Sequence, residues 1–211
     1  MRTIIDLSHR INHEMSLYPG TSVPSITKMR SIEYDGFQEY KVELTNHIGT
    51  HIDAPGHMLR QGKMLNDYSI SDFHGVSLII DCREYNETIP IVSLNSYKGY
   101  IDNIDYLIFY TGWSKHWGSR LYTNFFPVLS NELCEYISQR NFKGIGIDTL
   151  SPDPMDSICF ENHKVLMASD KLIIENLTNL DLVPKSPFEL VCLPLALSYV
   201  DAAPARVVAL V

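Results

Sequence analysis

What most limits the fold of this chain is a series of short, β-branched apolar runs set between turn residues and helical patterns. Residues 75–82 and 106–110 are short, β-rich apolar runs of strand length, the kind that fills a sheet covered on both faces. Residues 3–7, 144–147, 171–174, 190–197 and 206–210 read as further short strands. In residues 40–45 the side chains alternate, with Tyr40, Val42 and Leu44 on one face and Lys41, Glu43 and Thr45 on the other, which predicts a half-buried strand. Between these runs, Ser130 is placed to cap a helix reaching about residue 140, with Leu133, Tyr136 and Ile137 on its buried face. Residues 162–168 predict a second helix. Strands outnumber helices and are interleaved with them. The expected fold class is therefore mixed α/β, sheet-rich with flanking helices, in a single domain over residues 1–211. With 45% hydrophobic residues the chain has the material for a real core.

Charge and cysteine usage narrow the function classes. A net charge of -8, with Lys and Arg scattered, leaves no basic stripe for phosphates, so no nucleic-acid partner is expected. Cys82, Cys134, Cys159 and Cys192 stand apart with no C-x-x-C pair, which excludes zinc-ribbon and thioredoxin-type readings. Isolated thiols in a chain with no apolar leader at Met1–Asp6 and no long apolar run point to a cytoplasmic protein with no membrane span.

The chemistry concentrates in His47-Ile48-Gly49-Thr50-His51-Ile52-Asp53-Ala54-Pro55-Gly56-His57. Imidazole nitrogen together with carboxylate oxygen suits Zn²⁺, Mn²⁺ or Fe²⁺, whereas Ca²⁺ and Mg²⁺ prefer oxygen alone. The four-residue gap from His47 to His51 resembles a helical pair. Gly49, Pro55 and the β-branched Ile48, Thr50 and Ile52 argue instead for a strand end passing into a loop. His51 and Asp53, two apart, would then share one side of an extended segment. One histidine after a strand is ordinarily a surface residue; four ligand-type residues in one short segment favour a metal site. No G-x-S-x-G elbow supports a serine nucleophile.

The pattern H-x-G-T-H-x-D-x-P-x-H resembles the signature of the cyclase-type metal-dependent hydrolases, the family that includes bacterial kynurenine formamidase (arylformamidase) and isatin hydrolase. Other segments resemble the family in the same order along the chain: Ile5-Asp6-Leu7-Ser8, Tyr18-Pro19-Gly20, Gly146-Ile147-Asp148-Thr149-Leu150-Ser151-Pro152-Asp153-Pro154, His163 with Glu175-Asn176-Leu177, and Pro204-Ala205-Arg206. The resemblance implies that His47, His51 and Asp53 hold one metal ion and that Asp53, His163 and Glu175 hold a second, with Asp53 and Glu175 bridging. It implies His57 as general acid/base, two Zn²⁺ per chain with Mn²⁺ as the alternative, a swivelling β/β/α fold, and a homo-oligomer (dimer or tetramer).

The expected activity is hydrolysis of a small amide, formamide or lactam by metal-activated water, with an aryl formamide such as N-formylkynurenine as one candidate. An imidazole suits the proton transfers because it both accepts and donates near neutral pH. Kynurenine formamidases of this type carry tryptophan before the Pro-Gly of the substrate loop. Tyr18 stands there in this chain, and it can still stack on an aromatic substrate. Two alternatives stand beside this reading: a mononuclear Mn²⁺ or Zn²⁺ enzyme resembling isatin hydrolase, and a metal-dependent binding protein without turnover. Asp148 and Asp153 are expected to shape a strand-to-loop turn. Trp113 can line a pocket or pack in the core, and Arg206 can pair with a carboxylate.

Overall fold

The computed structural model describes residues 2–211. Its strands are β1 (Ile4–Asp6), β2 (Ser25–Arg30), β3 (Glu39–Glu43), β4 (His51–Asp53), β5 (His74–Asp81), β6 (Thr88–Ile89), β7 (Tyr106–Tyr110), β8 (Val128–Leu129), β9 (Gly144–Ile147), β10 (Leu172–Glu175), β11 (Phe188–Pro194) and β12 (Ala202–Leu210). The helices are α1 (Ile32–Asp35), α2 (Asn131–Ser138) and α3 (Glu161–Ala168), with several 3₁₀ turns between. This is the sheet-rich mixed α/β fold the apolar runs predict.

Eight strands form the main sheet in the order β1-β12-β11-β5-β7-β9-β10-β4. β5, β7, β9 and β10 run parallel, and the remaining pairings are antiparallel. β4 pairs with β10 on one side and with the first residues of β12 on the other, which curls the sheet into a barrel-like ring.

Alternation along the parallel strands divides the core in two. Ile79, Tyr106, Ile108, Leu172 and Ile174 belong to one buried cluster, with Leu190, Ala203, Ala205 and Val207 of β11 and β12. Their neighbours Leu78, Ile80, Leu107, Phe109, Ile145, Ile147 and Ile173 belong to the other, with Leu133 and Ile137 of α2 and Leu166 and Met167 of α3. Because both faces are covered, these strands read as unbroken apolar runs rather than alternating ones. Ser130 caps α2 as expected, its side chain accepting from the Leu133 N–H at 3.2 Å.

One strand departs from expectation. Residues 39–43 do form β3, but it pairs only with β2 in a two-stranded antiparallel arm, and every residue of both strands is exposed. The alternation of Tyr40 and Val42 is real, yet nothing in the same chain covers that face. The arm ends before the histidine segment, which instead supplies a short strand of the main sheet.

Candidate metal centre and active site

Sheet register assembles the site. In the antiparallel pairing of β4 with β10, His51 lies opposite Glu175 and Ile52 opposite Ile174. Residues directly opposite one another point to the same face, as do residues two apart on one strand. His51, Asp53 and Glu175 therefore share one face, while Ile52 and Ile174 turn to the apolar cluster on the other. His163 reaches the same spot from α3. His47 and His57 flank β4, one on the loop before it and one in a 3₁₀ turn after it. The loop needs Gly49 at φ +62°, a conformation that L side chains rarely adopt.

The geometry around the carboxylates is closely set. His47 Nδ1 lies 2.9 Å from Asp53 Oδ1, and His51 Nε2 lies 3.4 Å from Asp53 Oδ1 and 3.3 Å from Glu175 Oε2. His163 Nε2 lies 3.3 Å from Glu175 Oε1. Each of these three rings has its other nitrogen held by an outer acceptor. His51 Nδ1–H donates to the Gly49 carbonyl at 2.9 Å, His163 Nδ1–H to Asp153 at 2.6 Å, and His47 Nε2–H to Asp201 at 2.9 Å. This is the pattern of metal-ligating histidines, in which an outer hydrogen bond fixes the tautomer and leaves one bare nitrogen facing inward.

The donor set fits a cation on a second count. His51 Nε2, both oxygens of Asp53 and Glu175 Oε1 are buried and have no hydrogen-bond partner. Orphaned polar atoms of this kind are costly in a folded protein, and four of them converge here. Two compact triads of ligand-type residues result, His47–Asp53–His57 and His51–Asp53–Glu175. Asp53 is common to both, as a bridging carboxylate would be. The division differs from the one implied by resemblance, since His57 enters one triad and His163 joins through its contact with Glu175.

Electrostatics give the same picture. Burial opposes charging of His47 and His163, but neighbouring carboxylates outweigh it and push both up to about 10. For His47 those are Asp53 and Asp201; for His163, Asp153 and Glu175. His51 is raised for the same reason. Burial would raise Asp53 and Glu175, yet the surrounding imidazoles hold both below the ordinary carboxylate range. The site calls for positive charge, supplied by protons when no metal is bound.

The centre opens on a cavity of about 400 Å³ whose walls include Tyr18, Ile48, Met58, Leu150 and Phe160. Phe160, at φ +49°, precedes α3, and its ring stands nearly perpendicular to that of His163, with centroids 6.2 Å apart. Asn176, which follows Glu175 at φ +58°, ties the Gly49 loop down: its Nδ2 donates to the Gly49 carbonyl at 3.0 Å, and its Oδ1 accepts from Tyr122 Oη at 2.8 Å. Asparagine tolerates this left-handed conformation better than most residues.

Several residues find places away from the expected ones, or beyond them. Asp148 is structural, its Oδ1 accepting from the Thr111 N–H and hydroxyl at 2.8 and 2.7 Å. Asp153 does more than shape a turn: it accepts from the Asn162 and His163 N–H groups at the start of α3 and from the His163 ring. Trp113 packs beside Tyr122 and Phe126, donates to the Tyr122 carbonyl at 2.9 Å, and lines a separate hollow with Phe125 and Met155 rather than this cavity. Arg206 pairs with Asp6 on the surface, away from the site. Sequence reasoning missed Asp201. Its neighbourhood of Ala202-Ala203-Pro204-Ala205, a small-residue run entering an apolar strand, was the available signal.

A family model described as putative cyclase matches residues 5–154. Kynurenine formamidase from Bacillus cytotoxicus is 31% identical over 205 residues, covering 97% of this chain and 95% of that protein. Among solved structures, isatin hydrolase A from Labrenzia aggregata superposes with a TM-score of 0.90 at 22% identity, over 100% of this chain and 94% of that one. A predicted metal-dependent hydrolase from Bacillus stearothermophilus does so with a TM-score of 0.84 at 27% identity, over 100% of this chain and 98% of that one.

Proposed function

The chain belongs to the putative cyclase family, and we propose that it is a metal-dependent hydrolase of small aryl amides, formamides or lactams. The observation that carries this reading is the convergence of four unpartnered buried polar atoms from His51, Asp53 and Glu175 beneath an apolar cavity. Following the family resemblance rather than the two triads, His47, His51 and Asp53 would hold one ion and Asp53, His163 and Glu175 a second, two Zn²⁺ per chain with Mn²⁺ as the alternative. When bound, such ions acidify water and polarise a carbonyl oxygen.

The remaining work falls to the chain's own groups. His57 lines the cavity beside these ligands and would take the proton from the attacking water, then return it to the departing nitrogen. Leu150, Met58 and Phe160 would exclude bulk water from the acyl group. Tyr18, 38% exposed at the cavity wall, would stack on the aromatic ring of the substrate. The cavity volume lies in the range of small-molecule sites, and N-formylkynurenine is the first substrate to try, given the relatives named above.

A homo-oligomer, dimer or tetramer, is part of the same proposal. Ile26, Met29, Tyr40 and Val42 on the β2–β3 arm are 48–55% exposed, an apolar surface that suits a second copy of the chain. Among the described residues no helix is long and apolar enough to cross a membrane. The proposed setting is the cytoplasm, where the buried thiols of Cys82, Cys134 and Cys192 stay reduced.

The test is hydrolysis of N-formylkynurenine and isatin by protein stripped with a chelator and reloaded with Zn²⁺ or Mn²⁺. Activity should vanish on stripping and return with metal. His57→Ala should keep its metal and lose about 10²–10⁴-fold in rate. Hydrolysis indifferent to the chelator would refute the proposal. Tight binding of either compound without product would identify a binding protein.

A further inference from the structure

We propose that Asp201 is a positioning residue that fixes the tautomers of two histidines at once, His57 as the base and His47 as a ligand. The inference rests on the hydrolase reading above. Asp201 directly precedes β12, and its carbonyl accepts the Ala54 N–H at 2.7 Å. With Ala202 paired to Asp53, its backbone is pinned to both β4 and the turn that carries His57. Asn46 Nδ2 donates to Asp201 Oδ1 at 2.7 Å and so sets the plane of the carboxylate. The other oxygen, Oδ2, accepts from His47 Nε2–H at 2.9 Å and from His57 Nδ1–H at 3.0 Å.

A carboxylate only accepts, so each ring must present an N–H to it. For His47 this makes Nδ1, 2.9 Å from Asp53 Oδ1, the nitrogen turned toward the metal centre, free to ligate once its proton is released. For His57 it leaves Nε2 bare, the atom that must take a proton. The Gly49 carbonyl and Asp153 do the same for one ring each; Asp201 serves two rings with different tasks. Those rings lie 4.0 Å apart, tilted by 40°, so a turn of either is felt by the other.

A purely structural account treats Asp201 as one more ion-pair partner near the surface. Its side chain is 27% exposed, and those of His47 and His57 are 25% and 27% exposed. Partly exposed pairs contribute little to folding. The loss of function on removing Asp201 should therefore far exceed any loss of stability.

The experiment compares wild type, Asp201→Ala and Asp201→Asn by steady-state kinetics with saturating metal and by calorimetric titration of Mn²⁺ alone. It also records the imidazole tautomers by ¹⁵N NMR of the zinc-loaded, histidine-labelled protein. In Asp201→Ala, kcat should fall about 10²–10⁴-fold, KM should stay within about threefold, and Mn²⁺ affinity should drop about 10–100-fold. The His57 signal should lose its single Nδ1–H form. Asp201→Asn keeps a neutral acceptor if Asn46 turns its amide, so it should recover part of each loss. An Asp201→Ala protein with kcat within threefold of wild type and an unchanged His57 tautomer would overturn the proposal. So would a loss of kcat that tracks unfolding and is not eased by asparagine. If wild type hydrolyses no amide at all, the hydrolase reading fails while the tautomer spectra and the Mn²⁺ titration still decide the role of Asp201.

Discussion

Replacing Asp153 with asparagine should weaken α3 and the metal centre together, by amounts that can be worked from its contacts. Its side chain is 2% exposed. One oxygen accepts from the Asn162 N–H at 2.8 Å; the other accepts from the His163 N–H at 3.0 Å and the His163 ring at 2.6 Å. An amide has one oxygen to offer. Turned toward His163, it keeps two bonds and sets its NH₂ against the Asn162 N–H; turned the other way, it confronts two donors. The first orientation wins and leaves two unpaired donors, the Asn162 N–H and the amide's own NH₂; the Asn162 N–H alone costs about 1–3 kcal/mol. For a chain of this size that is a fall in Tm of about 2–12 °C, at 2–4 °C per kcal/mol. The His163 ring keeps its tautomer but loses a charged acceptor, a bond roughly halved in strength. Metal affinity should then drop about tenfold for Asp153→Asn and toward a hundredfold for Asp153→Ala. Thermal unfolding of the metal-free proteins and calorimetric Zn²⁺ titration measure the two effects separately. A lowered Tm with Zn²⁺ affinity unchanged in Asp153→Ala would refute the reasoning, because Asp153 would then cap the helix without orienting a ligand.

Three further outcomes are expected. Metal affinity should rise with pH between 6 and 8, because His47 and His163, held up to about 10 in the metal-free protein, must release protons when a metal binds. Acid favours the proton-laden state, and each proton released steepens the rise by about tenfold per pH unit; a flat profile in Zn²⁺ titrations would contradict this. Gly144→Ala would place a Cβ 2.2 Å from the Leu172 carbonyl oxygen, which is backbone and cannot step aside. The β9–β10 pairing must give, at about 1–3 kcal/mol or more, so a melting temperature within 2 °C of wild type would count against the register. Ile26→Asp with Val42→Asp on the exposed arm should shift sedimentation toward a monomer, and an unchanged profile would remove the arm from the assembly.

The parts of this molecule that were legible in the sequence are those set by local pattern. Apolar runs marked β5, β7 and β9 because both of their faces are covered, and Ser130 marked the start of α2 through its own hydroxyl. The spacing of His51 and Asp53 foretold a shared face because strand alternation needs no partner to act. What stayed hidden depends on pairing. Alternation at Tyr40 and Val42 shows that the two share a face but not what that face meets, and here it meets no other part of the chain. The closing of the ring through β4 joins residues more than a hundred positions apart. Asp201 is 144 positions from His57, and a lone aspartate before a strand has no local mark of its partners. Asp153 read as a turn residue because its contacts to α3 arise only once that helix is docked.

Elemental analysis by mass spectrometry shows whether His47, His51, Asp53, His163 and Glu175 hold metal as proposed. Wild-type protein, His51→Ala and Asp53→Ala would be purified without added metal and measured again after incubation with Zn²⁺ or Mn²⁺. About two ions per chain are expected in wild type, with both variants depleted, Asp53→Ala the more severely because its carboxylate belongs to both ligand sets. One ion per chain in wild type would assign a mononuclear centre. No metal in wild type even after incubation would overturn the proposed metal centre.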